Sequence, residues 1–460
     1  MNTASGHSLG QKLELTPQQI STGLALFYVC YVLFDVPANL IMTRLSPHVW
    51  MSRVVLGVGI VGTCHAALTH AWNFYLIRVL LGIVIAGMWP GMAYFLTLFY
   101  PPSKTGKRIG MYFTAAQVSA AVAGLVSAGF QLMDGSGGLT GYQWMFLIYG
   151  LVTIACSILI LWWLPDRPKA PGSPPNDVKG FWKLFQGPPA LKGEDSAIHY
   201  EDLTRVYHAP PWGLRELWKI MCDWRLWPLT VMYFGVVGVG IGVQSFGTLI
   251  IKSAIPSLTG VELSLLFAPI WVCDLIAILI FTPLADRFHK YRYMFFIGPC
   301  ILQMVGLFVT TYASSPWPRY VGLLIVGFGL GPTVPNCMAW TSEIFQPRHG
   351  DIGVAAATAL VSGLGNLGSV TTTYALYTGW ASDNKPGPLQ FRKSNLTMVG
   401  ILAISVCSAI LMAVLRKLVD NNGEIKGDKA AVIVDGAARR DMKGQRGLDG
   451  LFGRKKKVST

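Results

Sequence analysis

The stretch "LLGIVIAGMWPGMAYFL" (residues 80–96) is apolar enough to be buried, yet Gly82, Gly87 and Gly91 interrupt it and Pro90 sits near its middle. In a water-soluble helix each interior Gly costs about 1 kcal/mol relative to Ala, and a Pro about 3. A chain that gathers breakers in a buried segment must satisfy the freed backbone groups some other way. In a bilayer, neighbouring helices do this, and Gly and Pro are commoner in membrane spans. Composition points the same way: of 460 residues, 52% are hydrophobic and only 13% charged, against roughly 25% charged in a soluble domain. Mean hydropathy is +0.46, and 50 residues are Gly. Too little polar surface remains to clothe a globule in water. The sequence reads as an all-α, integral membrane protein that crosses the bilayer many times.

A helix needs about 20 mainly apolar residues to cross the hydrocarbon core. Such stretches fall at 21–43, 51–71, 74–99, 110–132, 142–164, 226–251, 264–285, 293–313, 318–341, 353–379 and 395–416, which makes eleven spans. Residues 1–164 carry five of them and 226–417 carry six, separated by a polar segment at 165–225 and followed by a basic tail at 418–460. The Pro/Gly-rich start of the central segment reads as a flexible linker, and "GLRELWKIMCDWR" (213–225) as a short amphipathic helix at the membrane surface. If the central segment is cytoplasmic, short connections on its side carry nine Lys and Arg against six opposite. That bias has the sign of the positive-inside rule and puts the tail in the cytoplasm too.

The net charge of +14 follows from this asymmetry. "GRKKK" (453–457) reads as a solvated segment drawn to anionic lipid rather than a nucleic-acid arm, so the lipid bilayer is an expected partner and nucleic acid is not. The eight Cys are scattered without CxxC or His/Cys ligand spacing, so no metal site is expected. Asn395-Leu-Thr397 matches the glycosylation sequon but abuts a span and is discounted. There is no phosphate-cradling Gly-Lys-Ser/Thr loop, which argues against ATP-driven transport. No cluster of catalytic groups appears either, so neither a catalytic residue nor a cofactor is expected.

Small residues at Gly82, Ala86, Gly87 and Gly91 let another helix approach closely, and similar faces recur at 120–129, 237–243, 327–332 and 362–369. Five such faces in both halves suit helices that slide or tilt against one another, as alternating access requires. "RVLLGIVIAGMWPG" (78–91) resembles the fourth-span motif of the major facilitator superfamily of transporters. "TPLADRFHKYR" (282–292) is similar to the superfamily's cytoplasmic loop motif, with Asp286, Arg287, Lys290 and Arg292 matching and Thr282 where Gly is usual. "YVLFDVPANLIMTRLSP" (31–47) resembles the fungal allantoate-permease, or anion:cation symporter, branch: Asp35, Pro37 and Asn39 fit, with Asp for Glu and Ala38 for Ser.

The resemblance implies a major facilitator fold of two helical bundles, one on each side of the linker, around a central cavity. Family members have twelve spans, so the first span looks absent here, with a truncated gene model the preferred account. It also implies secondary active transport of a small organic anion or vitamin-like solute, coupled to protons, in a plasma membrane. Export of a secondary metabolite and a sensor that binds without transporting are the alternatives.

Ionisable groups at membrane depth are functional hypotheses by default. Asp35 could pair with Arg44, cap a neighbouring helix, or serve transport. Arg78 occupies the motif position that the family associates with proton coupling. Asp274 could titrate during transport or merely hydrogen-bond to a facing helix, and Glu343 lies nearer an interface. Gln117, Gln244, Asn336 and Asn366 could bind solute, although bridging between helices is the commoner use of such residues. Trp89, Trp271 and Trp340 could wall a cavity, and His65 reads as a satisfied core residue. By the resemblance, Asp286, Arg287 and Arg292 form a gate at the cytoplasmic mouth.

Overall fold

A computed structural model of the chain describes residues 9–100, 102–166, 191, 195–198, 201, 214–288, 291–377, 379–380, 383 and 390–419. Among these, eleven helical segments are long and apolar enough to cross a membrane, five before the central segment and six after it. The linker at 165–225 and the tail from 418 lie mostly outside the described residues.

The first half comprises α1 (Pro17–Arg44), α2 (Pro47–Cys64), α3 (Ala71–Ile85), α4 (Met88–Thr97), α5 (Pro102–Leu132) and α6 (Gly141–Trp163). A short α7 (Leu214–Cys222) precedes α8 (Leu226–Ala254), α9 (Gly260–Arg287), α10 (Met294–Tyr312), α11 (Pro316–Leu330), α12 (Thr333–Gly365), α13 (Leu367–Val370) and α14 (Arg392–Val419). Starts are written in local chemistry. Thr16 with Gln19, Thr140 with Gln143 and Thr259 with Glu262 each form a reciprocal capping box that opens α1, α6 and α9. The second span lies at Pro47–Ala67, four residues earlier than expected, because Ser46-Pro47 begins the helix and a 3₁₀ turn at His65–Ala67 ends it. Between α13 and Tyr377 the chain forms a π-helical turn, Thr371–Leu376.

The stretch that opened the sequence reading is not one helix. α3 stops at Ile85; Ala86 is extended, Gly87 takes φ 79°, and α4 restarts at Met88. Glycine reaches that left-handed conformation without the clash a Cβ would bring. The Gly87 N–H donates to Asp35 Oδ1 at 2.8 Å, so a carboxylate from α1 satisfies the restart of the broken helix.

Residues up to Ala409 pack as one unit. Within it α2 lies against α6, α1 against α3, α10 against α11 and α8 against α12. The contacts that join the halves include α5 with α9 and α1 with α12. At the first of these, a Cβ on Gly110 would sit 2.6 Å from Thr282 Cγ2. The glycine on α5 thus provides the room that Thr282, standing where the family motif usually has Gly, takes away.

In α7, Ile220 is buried while Trp218 is largely exposed. Just beyond, Asp223 meets the Arg225 N–H at 3.0 Å and His349 Nε2 at 3.8 Å. Burial alone would raise the Asp223 carboxyl. The bonds from His349 and the Arg225 N–H, with the charges of Arg225 and Arg348, hold it below the usual carboxylate range instead.

Candidate functional site

A cavity of about 250 Å³ lies where the two halves meet. That is close to the lower end of small-molecule pockets, about 300–1,000 Å³, and leaves room for one small solute. Of the expected residues, Gln117 on α5, Gln244 on α8, Asp274 on α9 and Asn366 after α12 all line it. Trp89 and Trp271 do as well, but the buried Trp340 does not. Trp89 is held edge-on by Tyr112 and Phe113, at ring separations of 5.1 and 4.9 Å. A stacked or edge-on aromatic set of this kind gives a stiff wall for a flat solute.

The polar lining groups have spare capacity. The Asn366 amide nitrogen donates to the Ser362 carbonyl at 2.8 Å, which leaves its oxygen uncommitted to that bond. Asp274 is 2% exposed, and its Oδ1 has no hydrogen-bond partner among the described residues. Tyr31 and Tyr233 also line the cavity, next to Ser362. Sequence reading passed them over, because an aromatic residue in a span reads first as packing. Their neighbour Ser362 opens the small-residue stretch "SGLGNLGS" (362–369), but no spacing in the sequence ties either tyrosine to it.

The other candidates lie elsewhere. Asp35 is fully buried at the broken helix and does not line the cavity. Arg44's side chain is outside the described residues, so the suggested Asp35–Arg44 pair is too. Asn336 bridges helices, donating to the Phe295 carbonyl at 3.2 Å. Arg78 sits over the Phe74 ring at 5.0 Å, with its Nε buried and without a hydrogen-bond partner among the described residues. Tyr28 and His65 lie near enough to feel its charge. His65 is committed: Nδ1 is 3.0 Å from the Val61 carbonyl, to which it donates, and the ring stacks on Phe146.

Just past the end of α9, Arg292 Nη2 meets Asp286 Oδ1 at 2.7 Å and Glu343 Oε1 at 2.9 Å. Arg292 is 4% exposed, so this is a desolvated, charge-assisted contact rather than a surface pair. Arg287 instead lies over the Phe288 ring, and Lys290 is outside the described residues. The residues expected at this gate therefore divide: Asp286 and Arg292 make the contact, together with Glu343. Losing the Asp286 charge while keeping its shape should weaken one arm of the clasp and bias a two-state equilibrium. Asp286→Asn is expected to slow transport several-fold without abolishing solute binding. An unchanged initial rate at normal surface expression would show that the clasp does not gate.

The profile of the Major Facilitator Superfamily matches residues 2–373. The Schizosaccharomyces pombe vitamin H transporter 1 is 46% identical over 430 residues, covering 91% of this chain and 74% of its own length. An uncharacterized transporter of the same yeast is 44% identical over 429 residues, covering 91% and 67%. The crystal structure of the E. coli fucose:proton symporter superposes with a TM-score of 0.59 at 15% identity, covering 86% of this chain and 92% of that one. That of a human organic anion transporter gives 0.58 at 14% identity, with 89% and 87% covered. Eleven described helices long and apolar enough to cross a membrane, a broken one at the motif "RVLLGIVIAGMWPG" and these matches lead to one conclusion: the chain belongs to the major facilitator superfamily of membrane transporters.

Proposed function

We propose that the chain is a secondary active, proton-coupled transporter of a small vitamin-like acid, working by alternating access between two helical bundles, residues 1–164 and 226–417. The observation that carries the reading is the cavity at the junction of the halves, sized for one small solute and lined by Gln117, Gln244, Asp274 and Asn366. Kinship with a vitamin H transporter supports biotin as the first solute to test. The finer branch, that of anion:cation symporters, rests on the Asp35-x-Pro37-x-Asn39 stretch. Plasma-membrane residence belongs to the same proposal.

Coupling needs a group that changes charge, and Asp274 is the ionisable residue among those lining the cavity with no partner at one oxygen. The test is uptake of labelled biotin in cells making the protein, with and without a protonophore. Accumulation above the outside concentration, collapsing to equilibration when the proton gradient is removed, is the expected result. Accumulation that ignores the protonophore would exclude proton coupling, and no uptake of biotin would exclude that solute.

A further inference from the structure

Five of the described residues that line the cavity are aromatic, and two are glutamines, Gln117 and Gln244. The same described lining contains no Lys, Arg or His. Resting on the transporter reading above, we infer that the cavity recognises an uncharged, flat ring bearing an amide or urea group, through the carboxamides of Gln117 and Gln244. The acid group of the solute is not what it reads.

The lining residues divide by what they can offer. Gln117 comes from α5 in the first half and Gln244 from α8 in the second, and neither makes a hydrogen bond among the described residues. Gln117 is 7% exposed, so the cavity it lines is where its amide can find a partner. Asn366 is half committed: its nitrogen goes to the Ser362 carbonyl, and its oxygen adds one acceptor. Asp274 gives a solute little to hold, since its Oδ1 is buried and a Cβ on Gly331 would collide with it. Trp89 is fixed edge-on by Phe113, and Trp271 by Phe267 at a ring separation of 5.9 Å and an interplanar angle of 81°. Each half thus contributes one rigid indole.

An ionised carboxylate leaving water needs a counter-charge or several donors to offset its lost hydration. The described wall supplies no cation, and its one charged type is an acid. A ring amide or urea gives up far less hydration, because it carries no net charge. A glutamine amide sets N–H donors beside a C=O acceptor in one plane, and so does the ring group. The two match head to tail: the ring N–H donates to a glutamine Oε1, and a glutamine Nε2 donates to the ring carbonyl. A carboxylate uses the donors alone and leaves both Oε1 atoms without partners. In such pockets a few fixed polar groups set orientation while apolar walls supply contact. Biotin carries a cyclic urea in its bicyclic ring, so it belongs to the class. Its carboxylate ends a flexible chain and has no residue assigned to it.

The experiment measures binding to the full chain in detergent with four probes. These are biotin, its methyl ester, biotin methylated on both ring nitrogens, and hexanoate, which has the acid and no ring. The ester should bind the unmodified protein within about threefold of biotin, because no hydrogen bond to the acid is lost. Ring methylation should weaken binding about tenfold or more, since a site built for a donor rejects the analogue lacking it. Hexanoate should bind no better than the methylated compound. Leu keeps much of the volume of Gln and neither donates nor accepts. Gln117→Leu/Gln244→Leu should therefore cost biotin at least about threefold more than it costs methylated biotin, a coupling that a merely structural role would not produce. If the double variant gives no monodisperse protein, Gln244→Leu alone carries the comparison, its parent residue being exposed.

An ester that loses more than this would show that the acid is read, and would overturn the inference while leaving acid transport intact. So would methylated biotin or hexanoate binding as tightly as biotin, or equal losses of biotin and methylated biotin in the variant. The expected pattern without accumulation of biotin in cells would keep the inference and discard the transporter reading. If the unmodified protein binds neither biotin nor its ester, 2-imidazolidinone, the bare cyclic urea, is tested alone. Binding of it, with loss in the variant, would keep the inference and discard the vitamin; no binding would end the inference.

Discussion

Arg78→Ala is expected to abolish uptake while the protein still reaches the membrane. The side chain is half-buried in a span, lies over Phe74 and leaves its Nε without a hydrogen-bond partner among the described residues. A guanidinium stays charged at any working pH, so Arg78 cannot carry the transported proton itself. What it can do is make contacts that differ between the two arrangements of a transporter. A ligand or charge shifts such an equilibrium only through that difference. An under-used cation at membrane depth is the kind of group that gains a partner in the opposite arrangement. Lys keeps the charge and loses the planar fork, so Arg78→Lys should cut the initial rate about tenfold or more. The measurement is initial uptake normalised to surface protein. A near-normal rate for Arg78→Ala would remove it from the mechanism and leave it a packing residue against Phe74.

The second large effect is on folding. Gly87 holds φ 79°, and a Cβ there would stand 2.7 Å from Ala38 Cβ and 3.2 Å from the Asn39 nitrogen. Gly87→Ala thus combines left-handed strain of about 1–2 kcal/mol with a steric overlap. Relief by any shift of Gly87 moves its N–H away from Asp35, whose other oxygen is buried without a partner. Leaving a buried polar group without its hydrogen-bond partner costs about 1–3 kcal/mol, and more when the group is charged. Together these are a sizeable fraction of an ordinary folding free energy of about 5–15 kcal/mol. Gly87→Ala should therefore lose most of its monodisperse peak in detergent, and Gly87→Val nearly all of it. Asp35→Asn keeps an accepting oxygen and should be milder. A melting temperature for Gly87→Ala equal to that of the unmodified protein would refute this account.

These two residues also mark how far the sequence could be read. Length and apolarity place spans well, because a bilayer imposes one thickness on all of them. What they hide is facing: a helix apolar all round carries little periodic signal for which side is lipid and which is cavity. Polar residues inside spans break that silence, and Gln117, Gln244, Asp274 and Asn366 do come together around one cavity. The same rule misdirects for Asn336, whose amide goes to the Phe295 carbonyl, and for Asp35, committed to Gly87. Both use their polarity to mend backbone, a need that exists only once helices are broken and packed. Tyr31 and Tyr233 fail in the opposite sense, their hydroxyls masked by rings that read as apolar. Asn395 shows a third case. Its side chain is 2% exposed and is held between the Tyr377 hydroxyl at 2.9 Å and Thr311 at 3.0 Å. Its amide is therefore committed inside the protein, whatever the local sequence pattern suggests.

The π-helical turn at Thr371–Leu376 bears on ancestry as well as on shape. Such a turn holds one residue more than the α-helical turn it replaces, and the ladder on both sides continues. Thr372 and Thr373 send their hydroxyls back to the carbonyls of Gly368 and Ser369, which steadies the widened backbone. Removal of one residue here would let the turn close to α-helical geometry without re-aiming Asn366 before it or Tyr377 after it. A deletion, ordinarily ruinous inside a transmembrane helix, is expected to be borne best at this turn.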